Sequence, residues 1–104
     1  MTLRDEVSRE IEDLWRKHLP LMRSRIETIQ VAVDAAYNNG LANNMRVAAK
    51  EAAHKLSGSL GTFGLESASD AAAEIERFFS AETSLPSEKL NRCLDELKNQ
   101  VNAR

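Results

Sequence analysis

The sequence predicts an all-α domain: an antiparallel four-helix bundle with an additional N-terminal helix or a bent first helix. Three observations lead there. Apolar residues recur at spacings of three and four along almost the whole chain. Only four Gly and two Pro punctuate 104 residues. Ala is abundant while aromatics make up 5%, a balance that favours helix packing over sheet. The length suits one domain, read as residues 1–104, with room for a real core but little stability to spare.

The first helix is expected from about Thr2 to His18. Leu3, Val7, Ile11, Leu14 and Trp15 form its apolar face. Thr2 with Asp5 resembles a capping box, with Asp in place of the usual Glu or Gln. Pro20 interrupts this helix or starts the next one. The second is expected from about Leu21 to Tyr37 on a stripe of Met22, Ile26, Ile29, Val33 and Tyr37. Asn38, Asn39 and Gly40 tolerate a left-handed conformation and end it.

Asn43 or Asn44 supplies a cap for the third helix, about Met45 to Leu60, whose inward stripe is Met45, Ala49, Ala52, Ala53, Leu56 and Leu60. Gly61 and Gly64 mark its end. The fourth is expected from about Leu65 to Ala81, with Leu65, Ala68, Ala72, Ile75 and Phe79 inward. The fifth begins near Pro86, a residue suited to a first helical turn, and buries Leu90, Leu94, Leu97 and Val101. The charged stretch from Lys98 to Arg104 reads as a fraying terminus. Short connections make neighbouring helices antiparallel.

Composition also excludes function classes. Fourteen basic and sixteen acidic residues leave a net charge of −2, with no basic excess to meet nucleic acid and no polybasic cluster for an anionic membrane. No apolar run is long enough to span a bilayer, and the acidic, polar start is not a secretory leader. With one cysteine, Cys93, no internal disulfide can form. The expectation is a cytoplasmic domain.

One stretch carries chemistry, Ala52 to Gly64. His54 lies roughly 150° around the helix from the centre of the inward stripe, on the outer face. By itself an exposed helical histidine is a surface residue. Gly58 and Gly61, four and seven residues later, change the reading. Glycine inside a helix costs about 1 kcal/mol relative to Ala, so two beside one histidine suggest that side-chain bulk is kept away from it. Val47, one heptad earlier, also points outward and is placed to begin an apolar docking patch. Lys50, one turn before His54, is placed to steady a phosphoryl group. Imidazole suits such chemistry: much of it is neutral near pH 7, with one nitrogen holding a free lone pair and the other donating a hydrogen bond. Phosphoryl transfer then needs in-line access and charge stabilisation more than further machinery.

Ala53-His54-x-Leu56-x-Gly58-Ser59, followed by Gly61 and Gly64, resembles the signature of histidine phosphotransfer (HPt) domains. The resemblance implies a stand-alone helical bundle that closes on itself as a monomer, and a phosphorelay carrier without kinase activity of its own. His54 would be the phosphoacceptor, Gly58 would keep its ring accessible, and Glu76 would accept a hydrogen bond from the ring and set its tautomer. It also implies partners: response-regulator receiver domains, a hybrid sensor histidine kinase, or both. No cofactor or metal is implied on this chain, and any magnesium would belong to the receiver. There is one departure. Many family members have Lys three residues after the histidine, where this chain has Ser57. Lys50, Lys55 or the Ser57 hydroxyl remain to meet the phosphoryl charge.

The remaining features read as structural. The glycines match neither dinucleotide nor Walker patterns and follow no strand. His18, beside Pro20, reads as a helix-terminal or solvated residue. His18 and His54 lack metal-ligand spacing. Cys93 reads as a small core filler, and Trp15 and Phe78 as core or boundary packing rather than partner anchors. A helical adaptor that binds a receiver or kinase without being phosphorylated is the alternative to the carrier. An unrelated enzyme lacks paired carboxylates, a nucleophile–base pair or a metal cluster.

Overall fold

The computed structural model describes residues 3–38, 40–81 and 87–103, with the side chains of residues 3 and 4 set aside. Four α-helices and no strand occur among them: α1 (Leu3–Tyr37), α2 (Asn43–Thr62), α3 (Glu66–Ser80) and α4 (Glu88–Ala103). The Thr2 cap, the part of Asn39 in ending α1 and the helix start at Pro86 lie outside the described residues, as does the side chain of Leu3.

The two helices expected on either side of Pro20 are one continuous helix of 35 residues, so the additional N-terminal helix is the first half of α1. Proline removes one backbone hydrogen bond and crowds the carbonyl four residues back, costing about 3 kcal/mol or more. Trp15 and Met22, one heptad apart on the opposite face, are 3% and 1% exposed. Burying two such side chains contributes roughly 1.5–3 kcal/mol each, which outweighs the defect. Pro20 itself lies on the solvent side. His18 is therefore mid-helix and exposed, solvated rather than terminal.

The α2 cap also differs from expectation. Ala42 is the cap residue and makes no side-chain cap bond. The Asn43 side-chain Oδ1 instead accepts from Arg46, whose other guanidinium nitrogen donates to the Phe79 backbone carbonyl of α3 at 2.7 Å. The far end of α2 closes with Gly64 at φ 79°, while the Leu65 and Gly64 amides donate to the Leu60 and Gly61 carbonyls. This left-handed turn folds α3 back along α2.

Each neighbouring pair runs antiparallel. Between α2 and α3, Arg46 meets Phe79, His54 meets Glu76 and Ser57 meets Ser69. Between α1 and α4, Lys98 donates to Gln30 and Asn91 to the Tyr37 hydroxyl, which itself donates to the Ser87 carbonyl. Lys89 of α4 pairs with Glu74 of α3 at 3.8 Å. The core is apolar throughout, from Met22, Ile29 and Val33 on α1 through Leu56, Leu60, Ile75 and Phe79 to Leu90, Leu97 and Val101. The α2–α3 seam is built mainly of alanines: Ala49, Ala52, Ala53, Ala68, Ala71 and Ala72 are all buried. Burial of Val101 holds α4 helical to Ala103, so the stretch from Lys98 does not fray as far as it is described. Phe78 and Cys93 pack against the core partly buried, and Trp15 is within it.

The first half of α1 departs most from expectation. Of the described side chains of its predicted apolar face only Trp15 is covered; Val7, Ile11 and Leu14 are 47%, 40% and 48% exposed. A 35-residue helix spans ~52 Å, so α1 alone accounts for the 55 Å long axis and its beginning projects past the bundle. No described helix is long and apolar enough to cross a membrane.

Candidate phosphotransfer site

His54 sits in the middle of α2, between the buried alanines and the open Gly58. Its side chain is 74% exposed, so an incoming group meets the ring without any movement of the fold. Glu76 reaches it from α3. The two carboxylate oxygens lie 3.1 and 3.2 Å from His54 Nδ1. A carboxylate only accepts, so Nδ1 carries the hydrogen and donates it. The lone pair is then on Nε2, the nitrogen that points away from α3. Glu76 is itself only 28% exposed, wedged at the edge of the α2–α3 seam, which limits its freedom to leave the ring.

Lys50, Glu51 and Lys55 surround His54 and Glu76 on a shallow open surface. Both lysines are exposed, one turn before and one residue after the histidine. They surround the ring with positive charge that is free to swing.

The glycines divide. A Cβ built at Gly58 would meet nothing within 4 Å, so this position opens to solvent one turn from His54. A Cβ at Gly61 would instead touch the Ser69 hydroxyl of α3 at 3.4 Å. Gly61 thus accommodates the approach of α3, not the space over the imidazole.

Ser57, at the position where a lysine would stand in many HPt domains, is also turned to α3. Its hydroxyl donates to the Ser69 carbonyl at 3.0 Å, and the Ser69 hydroxyl donates back to the Ser57 carbonyl at 2.7 Å. Of the groups expected to meet a phosphoryl charge, Lys50 and Lys55 stand by the ring, while the Ser57 hydroxyl is engaged elsewhere. Ser69 was not singled out from sequence. The signal was present: Ser69 and Glu76 are two turns apart on one face of α3, as Ser57 and His54 are neighbouring turns of α2.

Among the described residues no group of three or more His, Cys, Asp or Glu side chains is placed to hold a metal ion. Cys93 lies away from the histidine on α4; burial pushes its thiol pKa up, and the nearby Glu74 charge adds to this.

The chain matches the Hpt domain family over residues 13–103 and belongs to that family. Members of it are phosphocarriers of two-component phosphorelays rather than enzymes, and they interact with receiver domains and kinases. Comparison with curated proteins and with solved structures gave no match.

Proposed function

We propose that this protein carries a phosphoryl group on His54 Nε2, taking it from a receiver-domain aspartyl phosphate or a hybrid sensor kinase and passing it to another receiver. The reading treats residues 1–104 as one working domain of the cytoplasm. The observation that carries it is the His54–Glu76 contact on an otherwise open surface.

The step balances simply. The Nε2 lone pair forms the N–P bond as the P–O bond to the donor carboxylate breaks, and that carboxylate leaves with the electron pair. The ring keeps its Nδ1 hydrogen and becomes cationic. The Glu76 carboxylate, already against that hydrogen, stabilises the developing charge. Lys50 and Lys55 offset the phosphoryl oxygens as they arrive. The reverse step uses the same contacts, so the carrier needs no cofactor of its own.

The test is transfer from several phosphorylated receiver domains to the natural protein and to His54→Gln. Label that is acid-labile, base-stable and lost in His54→Gln supports the carrier. Binding of a receiver by both proteins with labelling of neither, across all donors, replaces it with the adaptor.

A further inference from the structure

The exposed residues of the projecting half of α1 follow a heptad. Val7, Ile11, Leu14, His18 and Leu21 are spaced four, three, four and three residues apart, the a/d spacing of a two-stranded coiled coil. The four apolar members are between 40% and 48% exposed. The flank beside them, Trp15 and Met22, is buried in the bundle, so the stripe continues the core face but lies uncovered. Phe63 and Thr62 at the end of α2 wall one side of it, making a groove with Ile11, Leu14 and His18.

The charges beside the stripe identify the occupant. With Ile11 and His18 at a positions, Glu10 and Lys17 are successive g positions. Both are exposed, and among the described residues neither is held in an ion pair. In a parallel pair g residues face e residues, here Ser8, Trp15 and Met22, two of which are buried and none charged. In an antiparallel pair g residues face g residues. Glu10 of one copy then meets Lys17 of the other, and the reciprocal pair forms by symmetry. The same register stacks Ile11 on Leu14 twice at the centre and Val7 on His18 at either side.

We propose that the protein self-associates as an antiparallel α1–α1 dimer, each projecting segment lying in the groove between α1 and Phe63 of the second copy. The contact is isologous, one patch serving both subunits, and closes at two. It replaces the expectation of a monomer, which assumed that the bundle covers its own apolar surface. It does not depend on His54 being phosphorylated.

Sedimentation equilibrium across roughly 1–500 µM protein, a span of stable to weak association, tests it. The natural chain should pass from monomer to dimer within that range. Leu14→Asp, at a position 48% exposed, should fold normally by circular dichroism and remain monomeric. Glu10→Lys and Lys17→Glu should each weaken the dimer by about tenfold, because each turns two attractions into repulsions. The double variant E10K/K17E should recover the natural affinity. A natural chain that stays monomeric throughout overturns the proposal, including when Leu14→Asp instead weakens receiver binding. So does a dimer that survives Leu14→Asp. Single charge variants with no effect overturn the antiparallel arrangement.

Discussion

At His54 the fold supplies three things to one ring: exposure, a fixed tautomer and nearby positive charge. Each can be removed separately. Glu76→Gln removes the charge facing Nδ1; an ionic hydrogen bond contributes about 1.5–3 kcal/mol, so transfer measured by rapid quench should slow by roughly tenfold or more while the fold persists. Gly58 separates stability from function. Gly58→Ala should raise stability by about 1 kcal/mol in a urea titration, since a methyl there meets nothing and improves helix propensity. Gly58→Leu should fold equally and transfer poorly, because its side chain occupies the approach to the imidazole. Normal transfer by a folded Gly58→Leu protein would show that open space at Gly58 is not what admits the partner to the imidazole. Ser57→Ala should cost about 1 kcal/mol of stability and slow transfer less than Glu76→Gln does, because the hydroxyl holds α3 in place and does not itself meet the phosphoryl group.

At the scale of elements, Pro20 is the informative residue. Pro20→Ala restores a backbone donor on the solvent face of an intact helix and should raise the thermal midpoint, by up to about 3 kcal/mol of stability. Reading the sequence as two helices gave that proline more weight than the buried residues around it. Local rules see the missing N–H; they do not see Trp15 and Met22 settling into one core on either side. The cap of α2 shows the same limit, since Asn43 is a good cap by type but Arg46 reaches it first. Where the signal was periodic and long-range competition absent, the sequence was legible. The buried residues of α2 and α4 are among those that the spacing picks out, with Met45 at the start of α2 only half-buried, and Gly64 ends α2 by adopting the left-handed turn that a glycine permits. At the site, the outward direction of His54 was legible from helical angle alone. The roles of Ser57 and Gly61 were not, because they depend on which flank α3 occupies.

Across the whole molecule, one core joins all four helices, and Leu56, fully buried two residues along α2 from the histidine, belongs to it. Leu56→Ala should cost about 2–5 kcal/mol, a large part of the stability of a domain this size, and lower the melting temperature by roughly 10 °C or more in calorimetry. The seam between α2 and α3 raises a different question. Alanines line it, and surfaces of small side chains interlock weakly, so apolar packing alone leaves one helix poorly fixed against sliding along the other. A slip of one residue is only about 1.5 Å, yet it would carry the Glu76 carboxylate out of hydrogen-bonding range of Nδ1. The reciprocal Ser57–Ser69 bonds, each a hydroxyl on the opposite helix's carbonyl, cannot both survive such a slip. They act as an axial detent: a neutral pair of serines two turns from Glu76 calibrates where the carboxylate stands relative to the ring.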